Sequence, residues 1–173
     1  MVDQVAETAQ AAASDGEMSQ TEFMIRVSYN YHKKRERFFR IMDAATKVLS
    51  LVAITSLASI GGWFSLFLAI ASGAATILSV VLDFTGMAGK HESLAREFLK
   101  LIGSLAAQNM TIQEAALKRA EVEAQEPTSL RGLVQVCSDE EDAARGIPVE
   151  PERLAYWRRI KAQFGFGEMP IPS

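Results

Sequence analysis

Small and hydroxyl-bearing residues recur at helical spacing inside the most apolar part of this 173-residue chain. Ala69, Ser72, Thr76, Ser79 and Asp83 follow a 3-4-3-4 rhythm and so fall on one stripe of a helix. Asp43, Thr46, Ser50 and Ala53 repeat the spacing upstream. Such a stripe can do one of two things. It can let two helices approach closely, with hydroxyls bonding across the contact. Alternatively it can line a water-filled lumen in an oligomer, with Asp43 and Asp83 near the mouth. Both aspartates sit at the ends of apolar stretches, where water reaches them, so the pattern favours the packing seam over the lumen.

Other chemistry-bearing residues are sparse. His32 and His91 are far apart and neither has a second ligand at metal spacing. Cys137 is the only cysteine, which excludes an intrachain disulfide and suits a small buried side chain. The run Asp139, Glu140, Glu141 and Asp142 lacks the glycine and spaced ligands of a calcium loop and reads as a solvated charge run. With no nucleophile, metal or acid–base constellation, an enzyme is the weakest reading, and no cofactor is expected.

The residues that would position the stripe form a block without charge. Residues 48–82 contain no Asp, Glu, Lys or Arg and are interrupted by Gly61 and Gly62. A bilayer span needs about 20 helical residues, with roughly 17 as the lower limit. The block therefore reads as two spans, residues 44–60 and 63–82, joined by a Gly-Gly turn, with Trp63 as an interface anchor. Leu49, Leu51, Val52, Ile54, Leu57 and Ile60 point all round the first helix, unlike the one-sided face of a surface helix. The expected fold class is thus an all-α membrane protein, a two-span transmembrane helical hairpin with a cytoplasmic helical bundle. The apolar block begins too late in the chain for a signal peptide.

Charge is distributed unevenly around that block. The net charge of −3 argues against nucleic acid as the main partner. Residues 1–25 hold five acids and no Lys or Arg, whereas residues 26–47 hold seven bases against two acids. The cluster Lys33, Lys34, Arg35, Arg37, Arg40 and Lys47, interleaved with aromatics, suits a membrane surface of anionic headgroups better than a nucleic acid. By the positive-inside rule both termini are expected in the cytoplasm. Residues 1–18 read as a disordered acidic segment, and 19–43 as a basic amphipathic juxtamembrane helix opened by the Ser19–Glu22 capping-box spacing. Residues 44–82 are the hairpin and 83–164 a cytoplasmic helical region. Within the latter, Leu94, Phe98, Leu101 and Leu105 form a core face, and a second capping box is expected at Thr111 and Glu114. A helix over 128–137, an acidic loop over 138–149 and a basic amphipathic helix over 151–164 complete it, before a flexible tail at 165–173.

The order of these parts resembles the SLATT proteins, the SMODS- and SLOG-associating two-transmembrane effector family of bacteria. The resemblance is carried by Tyr31, His32, Lys33, Lys34 and Arg35 with Phe38 and Phe39, then the hairpin, then Leu82, Asp83 and Phe84. It continues through Gly89, Lys90 and His91, the Leu94-Ala-Arg-x-Phe98 helix, Glu126 and Pro127, and Leu133 with Cys137. Where family members often carry His-Asn-Glu after that cysteine, this chain has Ser138, Asp139 and Glu140. The resemblance implies a multi-pass inner-membrane effector of an antiviral or conflict system. Such an effector homo-oligomerises into a pore, or perturbs the bilayer, when a sensor or nucleotide-signalling partner encoded elsewhere is triggered, so that the infected cell is arrested or dies in abortive infection. The alternative is a non-conducting membrane anchor or adaptor that recruits a cytoplasmic partner.

Overall fold

The computed structural model describes residues 2–59 and 62–165, with side chains described from residue 20 onward except at 53–61, 64, 65, 68 and 78–80. Among the described residues it is all-helical: α1 Val2–Ser59, α2 Trp63–Leu82, α3 Phe84–Ala106, α4 Ile112–Glu123, α5 Arg131–Ala144 and α6 Tyr156–Gln163, with a 3-10 turn at Pro151–Leu154 before α6. The chain divides into two compact units, one built from Met1–His32 and Ser93–Ser173, the other from Lys33–Glu92.

The first unit has two apolar clusters. In one, Ile25 of α1 meets Leu94, Phe98 and Leu101 of α3 and Ala115 and Val122 of α4. The α3 residues are spaced 4 and 3 apart and the α4 pair two turns apart, so each helix offers one stripe to the contact. The other cluster joins Val27 and Tyr31 to Leu133, Val136 and Cys137 of α5 and Ala162 of α6. A polar pair adjoins these clusters. His32 is fully buried, stacks on Phe98 with ring centroids 5.5 Å apart, and places Nε2 2.7 Å from Oε1 of Glu126. The Tyr31 hydroxyl accepts a bond from the Leu130 amide at 3.2 Å, tying the α4–α5 connection to α1.

The start of α4 is fixed locally. Thr111 accepts from the Glu114 amide while the Glu114 carboxylate accepts from the Thr111 amide, a complete capping box. These bonds from Thr111 hold the Glu114 carboxyl below its ordinary pKa.

The second unit packs Phe39 of α1 against Phe84 and Ala88 of α3, with Phe38, Met42 and Met87 around them. His91 is buried and stacks on Phe39 at 5.6 Å, and the Arg35 guanidinium lies 4.4 Å from the centre of the Phe39 ring. The bases of this segment are thereby drawn into packing and ion pairs as well as facing solvent.

Asp83 terminates α2 in the left-handed conformation, at φ 42°, and opens α3 by accepting a bond from the Gly86 amide at 3.1 Å. A Cβ on Gly86 would meet the Asp83 carboxylate at 2.0 Å, so glycine is what allows this cap to form.

The structure corrects several expectations. No helix among the described residues is long and apolar enough to cross a membrane. The all-α membrane class, the two-span transmembrane hairpin over 44–82 and the multi-pass inner-membrane placement with cytoplasmic termini are therefore corrected to an all-helical architecture. The charge-free block is divided at Gly62, whose φ is 108°. The two pieces meet through hydroxyl-bearing residues, with Ser50 of the first lying 3.0 Å from Thr76 of the second. Gly61 lies outside the described residues.

Further corrections concern local structure. The N-terminal segment read as disordered is helical from Val2, because its Ala, Gln and Glu content favours helix even without an apolar period. For the same reason Ser19 falls inside α1, so the helix start expected there does not occur. The acidic run read as a loop continues α5 to Ala144. The single helix expected over 151–164 is broken at Ala155 into a 3-10 turn and α6. Beyond Gly165 the expected tail lies outside the described residues.

Candidate functional site

The hydroxyl stripes of α1 and α2 meet. Ser50 Oγ and Thr76 Oγ1 lie 3.0 Å apart, Ser72 and Thr46 are buried, and Ala69 is half-buried on the same side of α2. Each hydroxyl also reaches back along its own helix, Ser50 to the Thr46 carbonyl and Thr76 to the Ser72 carbonyl, both at 2.9 Å. The side chains of Ala53 and Ser79 lie outside the described residues. Asp83 serves as the helix cap described above. Asp43 pairs with Lys47 at 2.6 Å and accepts from Thr85 at 3.1 Å. The Lys47 bond, against some desolvation and helped by Thr85, holds the Asp43 carboxyl below its ordinary pKa.

The basic cluster is organised by carboxylates. Glu36 is buried and accepts from Lys33 at 2.6 Å and from Arg40 at 2.9 Å, while Arg40 also reaches Glu92 at 2.8 Å. Desolvation pushes the Glu36 pKa upward, but the bonds and charges of Lys33 and Arg40 outweigh it and leave the group below its ordinary value. Arg37 is exposed and Lys34 half-buried.

Opposite the hydroxyl seam α2 presents a second stripe that is apolar and solvent-facing. Trp63, Phe67, Ile70, Ala74, Ile77 and Val81 are all exposed and follow 4-3-4-3-4 spacing. This is the a/d rhythm that keeps one face of a helix against a partner helix over several turns. Leu66 and Leu82 widen the face, and Ile41, Val48, Leu51 and Val52 add exposed apolar surface on α1. These eleven large side chains, with Ala74 left out, are between 46% and 86% exposed. An apolar surface of this extent marks a site of association. The sequence reading placed Trp63 at a membrane–water interface and missed the repeat, because the block is apolar on most sides and hides the face left exposed.

Among the described residues no group of three or more His, Cys, Asp or Glu is placed to hold a metal ion. Comparison with family models, with curated proteins and with solved structures found no match to this chain.

Proposed function

We propose that the chain is a non-enzymatic effector or adaptor that works by self-assembly, α2 of one copy pairing with α2 of another. The 4-3-4-3-4 apolar stripe on the exposed face of α2 is the observation that carries this reading. A helix with that spacing finds its complement in another helix of the same spacing, and a two-fold pair of identical copies supplies one without a further gene product. Ala74 at the middle of the stripe lets two backbones approach, while Ile70 and Ile77 on either side supply the interlocking side chains. The surface bears no charge that would select a differently charged partner. The SLATT resemblance supports the effector part of the reading, with a partner encoded elsewhere acting as trigger. A conducting pore built of helical spans would need a membrane-crossing helix, which none of the described helices provides.

Light scattering on the full chain after size-exclusion chromatography tests this, with Ile70→Glu/Ile77→Glu as the variant and flotation with anionic liposomes run beside it. A defined oligomer that becomes monomeric in the variant supports self-assembly. A monomeric wild type overturns it, and flotation of that monomer would show that lipid is what the apolar face contacts.

A further inference from the structure

A groove of about 380 Å³ in the first unit is lined by one face of α1, the last turn of α4, the α4–α5 connection and α5. We infer that it binds an organic cation, an alkylammonium or guanidinium head carried on an aliphatic stem. This proposal is independent of the self-assembly reading, because the exposed face of α2 lies in the other unit.

Three features converge. One wall is aliphatic, formed by Met24 and Val27 of α1 and Val134 of α5, with the Tyr31 ring beside them. The lining contains the carboxylates Glu123 and Glu126 and no Lys or Arg. The groove also sits at the C-terminal end of α4, where carbonyl dipoles favour positive charge. The volume falls within the lower range of sites that enclose small molecules.

Glu126 is the residue we assign to the head group. His32 holds its Oε1 from behind at 2.7 Å, and the His32 ring is fully buried and stacked on Phe98. The carboxylate is thus oriented by a rigid neighbour, and its side chain is still 15% exposed. Glu123 is already bonded to Arg119 at 2.6 Å, so it contributes field more than a bond. A cation entering the groove would find a carboxylate held by His32 for its head and apolar surface along its stem, which suits an amine and disfavours an anion or a simple hydrated metal ion.

The same head group can arrive on a free diamine or on a lysine side chain of a partner. The test is a methyl-NMR titration of the full chain, following Val27 and Val134, with 1,4-diaminobutane, N-acetyl-lysine-N-methylamide and, as the uncharged control, 1,4-butanediol. We expect saturable shifts with one or both cations and none with the diol. Tighter binding of the diamine points to a free amine, and tighter binding of the lysine derivative to a partner side chain. Glu126→Gln should weaken binding at least tenfold. Because that variant also alters the His32 pair, Met24→Arg, which places a competing cation on the wall away from His32, should abolish binding independently. Equal shifts with the diol, no saturable shift with either cation, or undiminished binding in a folded Met24→Arg protein would overturn the proposal.

Discussion

Ser50 Oγ and Thr76 Oγ1 lie 3.0 Å apart, although 26 positions separate them in sequence. Both hydroxyls also lie 2.9 Å from a carbonyl of their own helix, so two protons serve three contacts. One hydroxyl can donate across the seam only by releasing its own carbonyl. The net gain is then at the lower end of a neutral hydrogen bond, about 0.5 kcal/mol. A double-mutant cycle of Ser50→Ala and Thr76→Val, read by urea unfolding, should return a coupling of that size. Strict additivity would mean that each hydroxyl serves only its own helix.

Gly86 and Gly89 lie one turn apart on α3 and should respond oppositely to alanine. Nothing stands within 4 Å of a Cβ built on Gly89, so Gly89→Ala should stabilise by the usual helix gain of about 0.5–1 kcal/mol. At Gly86 the Asp83 carboxylate occupies that space. Gly86→Ala displaces the cap, a loss of about 1 kcal/mol that cancels or exceeds the helix gain. Thermal unfolding of the two variants gives the comparison directly. Equal stabilisation of both would show that Asp83 can cap α3 from another rotamer.

Much of the helical layout was legible in the sequence. The α2 limits, Trp63–Leu82, coincide with the stretch bounded by Gly62 and Asp83, because both ends are set by local backbone requirements. The Thr111–Glu114 box and the Leu94, Phe98 and Leu101 face were readable for the same reason, being set by near neighbours. Long-range pairing was not readable. Nothing near Asp139 in sequence announces the arginines that bury it, and nothing near His32 announces Glu126, which follows 94 positions later. The apolar block misled for a different reason. Its lack of charge suggested two membrane spans, and because apolar residues lie on every other side of the hydroxyl stripe, the face left exposed did not stand out from the rest.

Glu36 makes stability depend on pH in a defined direction. Its folded-state pKa is depressed, so the folded chain binds a proton less readily than the unfolded chain does. Its contribution is fully present above the ordinary glutamate pKa of about 4.3 and is lost as the pH falls through the lower folded value. The urea midpoint of the wild type should therefore fall on acidification below about pH 4.3, more steeply than that of Glu36→Gln. Parallel curves would show that Lys33 and Arg40 gain as much from water as from Glu36.

Asp139 is only 2% exposed and is held by Arg153 at 3.0 Å, Arg158 at 3.4 Å and the Gln135 amide at 2.9 Å. The arginines come from the 3-10 turn and α6, so this carboxylate fastens the C-terminal elements to α5. Its partners are unequal in what they lose when the contact is broken. The arginine side chains are 41% and 23% exposed and can turn to water, whereas the carboxylate cannot. Removing both arginines together should thus cost more than removing the acid, about 3–5 kcal/mol, because a buried charge is stranded. Adding Asp139→Asn to the Arg153→Ala/Arg158→Ala protein should recover part of that loss by neutralising the stranded group. Urea unfolding followed by far-UV circular dichroism resolves the three proteins. Absence of recovery would mean that water reaches Asp139 once α6 is released.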